Sequence, residues 1–220
     1  MNLFDILGPV MVGPSSSHTA GAVRIGYISG RLLQDHVVKA EILLHGSFAT
    51  TGIGHGTDRA LIAGLLGMHP DDIRIPDSFA LAEKEGLSFS FATVTLKDAH
   101  PNTAVLRLTG EHGRQIEVQA ASIGGGRIMI AKLDGIEVNF SAEKPTLIVH
   151  NVDQPGHVAE VTTLLATHGI NIATLQLYRD KRGGYAVMVI ETDQEIEPES
   201  LEQLEQQDGI IKVTYINVEE

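Results

Sequence analysis

The sequence predicts an α+β protein made of two domains. Three observations support this prediction: a short polar segment ending in Pro145, a change of charge across it, and a βαββαβ pattern behind it. Residues 1–145 carry 12 Lys and Arg against 15 Asp and Glu, whereas residues 146–220 carry 4 against 13. We therefore expect one domain over 1–145 and a second over 146–220.

The first segment alternates helices and strands irregularly. Helical spacing predicts helices over Thr19–Leu33 and Thr57–Gly67. Three glycines in the first helix, Gly21, Gly26 and Gly30, indicate close packing. A strand is expected at Lys39–Leu44, and strands of one antiparallel sheet at Ser88–Leu96, Asn102–Thr109 and Arg114–Ala120. Asp134-Gly135 is typical of a hairpin turn, here between strands at 128–133 and 136–140.

The second segment follows a more regular pattern. A β-rich run starts at Thr146, and Pro155-Gly156 opens a helix that Gly169 ends. A hairpin of two strands, a helix beginning at Pro198 and a last strand from Ile210 complete a βαββαβ order. This order predicts a ferredoxin-like sandwich, with two helices on one face of a four-stranded sheet.

Composition excludes several classes of protein. The 220 residues include no cysteine, so the chain offers no disulfide, no thiolate nucleophile and no thiolate ligand for an iron–sulfur cluster. A net charge of −12 argues against a nucleic-acid surface. The longest apolar run is short of the roughly 18 residues that span a bilayer, and the first residues lack a basic signal-peptide region. A cytoplasmic protein without a metal site of its own is expected.

The segment Gly13-Pro-Ser-Ser-Ser-His-Thr19 places hydroxyls and an imidazole where a helix begins. Serine caps the exposed backbone N–H groups of a helix, and the helix dipole favours an anion there. A carboxylate or a phosphate would fit, with the hydroxyls and His18 as further donors. A capped helix with a histidine facing solvent explains the same pattern.

Residues 50–58, Thr-Thr-Gly-Ile-Gly-His-Gly-Thr-Asp, surround His55 with glycines. We expect this segment to join a strand to a helix. Glycine lets a ligand approach the backbone and leaves the imidazole unshielded, as a general base requires. A flexible turn with an incidental histidine is the alternative. A dinucleotide-binding loop fits less well, because the spacing is G-x-G-x-G rather than G-x-G-x-x-G.

Two further motifs are weaker signals. His100-Pro101-Asn102 places an imidazole and an amide on either side of a rigid proline, and Ser122-Ile-Gly-Gly-Gly126 could offer backbone N–H groups to an anion. Either pattern also fits an ordinary turn. The histidines without such neighbours are assigned to the surface or the core: His36, His45, His69, His112 and His168.

Together, these motifs resemble those of a known enzyme family. Phe4-Asp5, the segment 13–19, Gly46-Ser47, the segment 51–58 and the segment 122–126 are similar to the β chain of bacterial iron–sulfur-dependent L-serine dehydratase. The second domain, with Asn151-x-Asp153-x-Pro155-Gly156 and Gly169-Ile-Asn171-Ile172, resembles an ACT domain, a regulatory module that binds amino acids. The resemblance covers essentially the whole chain.

The resemblance implies deamination of L-serine to pyruvate and ammonia. It implies a [4Fe–4S] cluster ligated by the cysteines of a separate α chain, with His55 of this chain as general base. His100 and Asn102 would lie near the same pocket. The donors implied for the substrate carboxylate are Ser16, Ser17, His18 and Thr19.

For the ACT domain, the resemblance implies an amino-acid effector between two copies, an arrangement compatible with a homodimer. The residues implied to read it are Asn151, Pro155, Gly156, Asn171 and Ile172. The first domain is expected to resemble the allosteric substrate-binding domain of some phosphoglycerate dehydrogenases. A regulatory subunit that only senses amino acids is therefore an alternative. A hydrolase using Ser17 and His18 is disfavoured, because neighbouring helix residues face different directions.

Overall fold

The structure is a computed structural model that describes residues 10–217. The chain divides into two compact units between Gly135 and Ile136, and the α+β class is confirmed. The domain boundary near Pro145 stays a prediction. Phe4 and Asp5, the opening residues of the motif set, lie outside the described part of the chain.

The helices of the first unit include both predicted ones and two short ones that the sequence pattern did not indicate. A π-helical turn (Ser16–Ala20) precedes the first helix, and 3₁₀ turns lie at Ile53–His55 and Ile75–Asp77. The α-helices are α1 (Gly21–Leu33), α2 (Gly46–Thr51), α3 (Thr57–Leu65) and α4 (Ser78–Lys84). The segment before His55 is therefore helical and not an open loop.

Six strands form the first sheet, in the order β2-β1-β3-β4-β5-β6. Their bounds are β1 (Val37–Leu44), β2 (Ser88–Thr93), β3 (Thr103–Gly110), β4 (Gln115–Gly124), β5 (Arg127–Leu133) and β6 (Ile136–Phe140). The hairpin prediction is confirmed, because Asp134 (φ 48°) and Gly135 (φ 82°) both adopt the positive φ of a type I′ turn.

The prediction that β2 belongs to an antiparallel arrangement is wrong. β2 runs parallel to β1, with Lys39 opposite Ser88 and Leu44 opposite Thr93. A parallel neighbour requires a crossover connection, and helices α2, α3 and α4 lie between the two strands in the chain. The other predicted strands do pair antiparallel, β1 with β3 and β3 with β4.

Helices α1 and α3 cross at two glycines. A Cβ added to Gly26 would overlap the carbonyl oxygen of Leu61, and one added to Gly64 would lie 2.6 Å from the Tyr27 nitrogen. Close packing is thus confirmed at Gly26. The prediction of close packing is wrong at Gly30, where a Cβ would meet its nearest atom at 3.8 Å. The helix packs on β3, β4 and β5 and so carries its N-terminus to one end of the sheet.

The second unit has the predicted βαββαβ order. Its elements are β7 (Thr146–Val152), α5 (His157–Thr167), β8 (Ile172–Arg179), β9 (Tyr185–Thr192), α6 (Pro198–Glu205) and β10 (Ile210–Ile216). The sheet order β10-β7-β9-β8 is antiparallel throughout. Alternate strand residues such as Leu147 and Met188 share a core with Val161 of α5 and Leu204 of α6. Both helices therefore cover one face, as in a ferredoxin-like sandwich.

Candidate active site

The start of α1 is a capped helix, as its serines predict. The Ser15 backbone is extended (φ −135°, ψ 121°), and its Oγ accepts a hydrogen bond from the backbone N–H of His18 at 3.1 Å. The next residues form the π-helical turn, in which Ser16 O accepts from the Gly21 N–H. His18 and Thr19 thus lie within the first turn of a continuous helical segment and not before it.

His18 is held by hydroxyl groups from two directions. Its Nε2 lies 3.1 Å from Ser47 Oγ and 3.1 Å from Thr51 Oγ1, one helical turn apart on α2. Its Nδ1 lies 3.4 Å from Ser15 Oγ. The ring also meets the edge of the buried Phe48 ring at a centroid distance of 5.4 Å. These contacts give the imidazole one defined orientation.

His55 lies beside His18, although 36 residues separate them in the chain. Their ring centroids are 5.0 Å apart, with the planes tilted by 50°. His55 ends the 3₁₀ turn, and a Cβ added to Gly54 or Gly56 would meet no atom within 4 Å. Because the glycines leave this space open, the exposed His55 imidazole is accessible to a ligand.

The electrostatics of the pair favour an uncharged His18. Burial lowers the pKa of His18 and the nearby His55 lowers it further, whereas a hydrogen bond with the backbone of Ser47 raises it. Two adjacent imidazoles disfavour double protonation, since like charges repel at this distance. His18 is thus suited to hydrogen bonding as a neutral ring at neutral pH.

The loop of His100 and Asn102 approaches α2 through its backbone. Pro101 O accepts a hydrogen bond from the Ser47 N–H at 2.8 Å, and a Cβ on Gly46 (φ 58°) would lie 2.5 Å from the same oxygen. Within the loop, the Asn102 N–H donates to His100 Nδ1 at 3.1 Å. The backbone of this predicted segment therefore reaches the element that holds His18.

The glycines after Ser122 form the turn between β4 and β5, with φ values of 97°, 63° and 75° at Gly124, Gly125 and Gly126. Ser122 itself is fully buried against Gly21, where a Cβ would overlap its hydroxyl. Of the two interpretations of this motif, an anion site and an ordinary turn, the turn describes the observed backbone.

Four hydroxyls of the first unit are buried and have no hydrogen-bond partner within the described residues, one of them Ser29 Oγ in the middle of α1. The other three are Thr19 Oγ1, Thr57 Oγ1 and Ser122 Oγ. Thr19 and Ser122 contact the two ends of the helical start, Gly13 and Gly21. Buried polar atoms are normally paired, so the hydroxyl of Thr19 has an unused donor at the start of α1.

Sequence reasoning missed Ser47 and Thr51 as site residues. Both belong to the motifs that carry the family resemblance, but their i, i+4 spacing has meaning only on a helix. The short helix α2 was not predicted, so this signal was not recognised. His18 and His55, by contrast, come from two separate motifs that the resemblance assigns to one substrate, and the structure brings their rings together.

The residues expected to read an effector fall at two ends of the second sheet. Asn151 lies opposite Ala186 of β9, whereas Ile172 lies opposite Thr192. Six residues of strand correspond to about 20 Å, so one copy does not gather both into one pocket. Asn151 is buried and its Oδ1 has no partner within residues 10–217. Asn171 donates its amide to Asp193 at 2.6 Å.

Pro155 and Gly156 of that set lie at the start of α5. Gly156, the residue before the helix, adopts φ 115°, which disfavours any residue with a Cβ. Pro155 precedes it in the exposed turn. Both therefore shape the connection between β7 and α5 beside Asn151.

No cluster of three His, Asp or Glu side chains that could hold a metal ion occurs among the described residues. The full chain also lacks cysteine. A [4Fe–4S] cluster requires thiolate ligands, so the residues of this chain do not fit such a group. Within residues 10–217, no helix is long and apolar enough to cross a membrane.

Comparison with known proteins identifies both units. The profile described as serine dehydratase beta chain matches residues 2–85, and that of the ACT domain matches residues 145–209. The chain is 41% identical over 215 residues to the probable L-serine dehydratase, beta chain, of Bacillus subtilis, across 98% of this chain and 97% of the other. It is 40% identical over 191 residues to the L-serine dehydratase, beta chain, of Peptoniphilus asaccharolyticus, across 86% of each chain.

A weaker similarity extends to a different enzyme. The chain is 26% identical over 201 residues to D-3-phosphoglycerate dehydrogenase of Methanocaldococcus jannaschii, across 90% of this chain and 37% of that one. Fold and site thus define a chain with a histidine-bearing α+β unit followed by an ACT domain. It belongs to the family of L-serine dehydratase beta chains.

Proposed function

We propose that this chain is the β subunit of an L-serine dehydratase, which converts L-serine to pyruvate and ammonia only together with an α chain. The observation that carries the proposal is the meeting of His18 and His55 beside the hydroxyl-rich start of α1. The names of the relatives, L-serine dehydratase beta chains, support the reaction and the existence of a partner.

The start of α1 is our candidate for the substrate carboxylate. Backbone N–H groups and the positive end of the dipole favour an anion there. The hydroxyls of Ser16, Ser17 and Thr19 would add donors, and the ring of His18 would add its one N–H when the substrate replaces the hydroxyls of α2 as the acceptor. The buried Thr19 hydroxyl, which has no partner within the described residues, supports this assignment.

His55 is our candidate for the general base that removes the α-proton of serine. A base must reach its proton within hydrogen-bond distance, and the exposed ring between Gly54 and Gly56 permits this approach. Loss of the α-proton and of the β-hydroxyl as water leaves aminoacrylate, which hydrolyses to pyruvate and ammonia. His100 and Asn102 would border the same pocket, since Pro101 between them contacts α2.

The cofactor proposal concerns the partner and not this chain. Because this chain offers no thiolate, we assign the ligands of a [4Fe–4S] cluster to the α chain. When bound there, the cluster would supply a Lewis acid for the departing hydroxyl. The cytoplasmic location expected from the sequence also stays a prediction.

Reconstitution tests the proposal directly. The purified chain is mixed with its cysteine-bearing α chain under anaerobic iron–sulfur reconstitution, and pyruvate formation from L-serine is measured. We expect activity only in the mixture, and a loss of at least 100-fold in the His55→Ala mixture, the usual contribution of a general base being about 10²–10⁴-fold. Full activity of His55→Ala would remove His55 as the base.

A regulatory subunit is the second candidate function. The D-3-phosphoglycerate dehydrogenase of Methanocaldococcus jannaschii is named for a different reaction. Its alignment with this chain covers 90% of this chain and 37% of the dehydrogenase. The same two units thus accompany another chemistry, which favours a sensing role. Calorimetric titration of L-serine into the isolated chain tests it. If His55 and His18 substitutions change only the effector response and leave turnover of the mixture intact, sensing is the better description.

The ACT domain would bind its amino-acid effector between two copies. Asn151 and the Asn171-Ile172 segment lie at opposite ends of β9 in one copy. A two-fold pairing of the edge strands β8 would bring the start of one strand toward the end of the other, near its Asn151. Such a homodimer would be additional to the pairing with the α chain.

A further inference from the structure

The hydroxyl of Thr51 has only one proton, and its nearest acceptor is the backbone carbonyl oxygen of Ser47. Thr51 Oγ1 donates to the backbone carbonyl of Ser47 at 2.9 Å, and a carbonyl oxygen can only accept. With the proton placed there, Thr51 Oγ1 accepts in its remaining contacts, with His18 Nε2 and Ser47 Oγ at 3.1 Å each. The Thr51–His18 contact is a hydrogen bond only if Nε2 carries a proton.

The opposite side of the His18 ring agrees with this assignment. Ser15 Oγ accepts from the His18 backbone N–H and keeps its own proton for Nδ1, 3.4 Å away. Ser47 Oγ can accept from Nε2–H and donate to Thr51. The Nε2–H is then shared between Ser47 Oγ and Thr51 Oγ1, each other proton of the four side chains has one acceptor, and Nδ1 is unprotonated.

We propose that Thr51, together with Ser47, is a positioning residue that holds His18 as its Nε2–H tautomer in a fixed orientation beside His55. This inference rests on the proposed function for its catalytic consequence but not for its structural content. The ring of His18 then stays uncharged when the neighbouring His55 takes up a proton. His55, 5.0 Å away between ring centroids, is the titratable group that acts on His18.

The test replaces the Thr51 hydroxyl and keeps the shape of the side chain. Thr51→Val removes the acceptor, Thr51→Ser retains it, and Thr50→Val is the matched control. Thr50 is the preceding residue of α2, exposed, and its hydroxyl donates to Gly46 O at 3.2 Å. Long-range ¹H–¹⁵N spectra of the full chain report the tautomer of His18.

We expect a pure Nε2–H pattern for the unaltered chain, Thr51→Ser and Thr50→Val, and a mixture of tautomers for Thr51→Val. An unchanged Nε2–H pattern in Thr51→Val would overturn the proposal, as would an Nδ1–H pattern in the unaltered chain. Since Thr51 is exposed, these variants should fold alike, and their unfolding midpoints check this.

In the reconstituted complex, kcat of Thr51→Val should fall about ten-fold with a smaller change in KM. Thr51→Ser should keep most of the kcat of the unaltered complex. Ten-fold corresponds to about 1.4 kcal/mol, the usual size of one hydrogen bond. If even the unaltered complex does not deaminate serine, the proposed function fails, and the spectra still decide the tautomer. If the complex is active and Thr51→Val leaves kcat unchanged, the positioning role fails alone.

Discussion

The chemistry of the candidate site depends on two histidines that differ in their surroundings. His18 is partly buried among hydroxyls and the Phe48 ring, whereas His55 is exposed between glycines. Burial disfavours the charged form of an imidazole, and a second imidazole nearby adds to the effect. The same residue type can therefore serve as a neutral donor at one position and as a proton acceptor at the other.

This difference predicts a measurable coupling between the two rings. His55→Gln removes the charge that lowers the pKa of His18, so the pKa of His18 should rise toward its ordinary value of about 6.5. It should not reach that value, because burial is the larger cause and remains. An NMR titration of the His18 ring measures the shift.

His168→Gln is the control for this titration, since His168 lies in the second unit and is not among the groups that shift His18. It should leave the titration of His18 unchanged. An unaltered His18 pKa in His55→Gln would contradict the electrostatic coupling.

At the scale of elements, the first unit depends on the close approach of α1 and α3. Gly26 and Gly64 face each other across the contact, and neither has room for a methyl group. Since α1 begins at the candidate carboxylate site and α3 follows His55, this contact sets the relative position of both histidines.

We predict that Gly26→Ala destabilises the chain by about 1–3 kcal/mol, the usual cost of overpacking. Gly30→Ala on the same helix is the matched control, because a Cβ there meets its nearest atom at 3.8 Å. It should stabilise by about 0.5–1 kcal/mol through helix propensity. Urea unfolding measures both, and equal effects of the two changes would refute the packing argument.

A second link between elements joins the end of α1 to the turn between β3 and β4. His112 Nδ1 lies 2.8 Å from Asp35 Oδ1, and the Asp35 side chain is only 4% exposed. His112 lies at the surface, one of its two assigned locations, but its partner Asp35 was not indicated by the sequence. The hydrogen bond with His112 is the main cause that lowers the pKa of Asp35, and it raises the pKa of His112.

The pH dependence of the Asp35–His112 hydrogen bond follows from the directions of the two pKa shifts. The lowered pKa of Asp35 gives stability that is present above its unfolded value, about 3.9, and is lost as the pH falls through the folded value. The raised pKa of His112 gives stability present below about 6.5 and lost as the pH rises through the folded value.

The link should thus contribute most between about pH 4 and 6.5. The difference in unfolding free energy between the unaltered chain and His112→Gln should be largest there and shrink at alkaline pH. His36→Gln is the control, because His36 bonds Asp35 through its backbone N–H. A difference that does not change with pH would contradict the ion pair.

For the whole molecule, the absence of cysteine means that this chain cannot ligate the iron–sulfur cluster of its proposed function. Iron and sulfide reconstitution of the isolated chain should produce no [4Fe–4S] absorption or signal, because there is no thiolate to ligate the cluster. Removing iron from the complex with a chelator should abolish turnover and leave the unfolding midpoint of the separated chain unchanged. A stoichiometric cluster on the isolated chain would disprove the assignment of ligands to the partner.

The sequence was sufficient for the second unit and for the individual motifs. Pro155-Gly156 and Gly169 mark the ends of α5, and alternating apolar residues mark the strands. These signals lie in residues that are neighbours in the sequence, so they can be recognised before the tertiary structure is known. In the first unit the direction of β2 was not readable, because α4 lacks strong local signals and the crossover through it depends on packing.

The sequence by itself determined the two-unit α+β organisation, the absence of thiolate ligands and the individual motifs around His18 and His55. Only the tertiary structure decided that these histidines meet and that Ser47 and Thr51 hold one of them. The reason is physical. Motif residues follow local backbone rules, whereas the distance between two motifs depends on how α1 and α3 pack at Gly26 and Gly64.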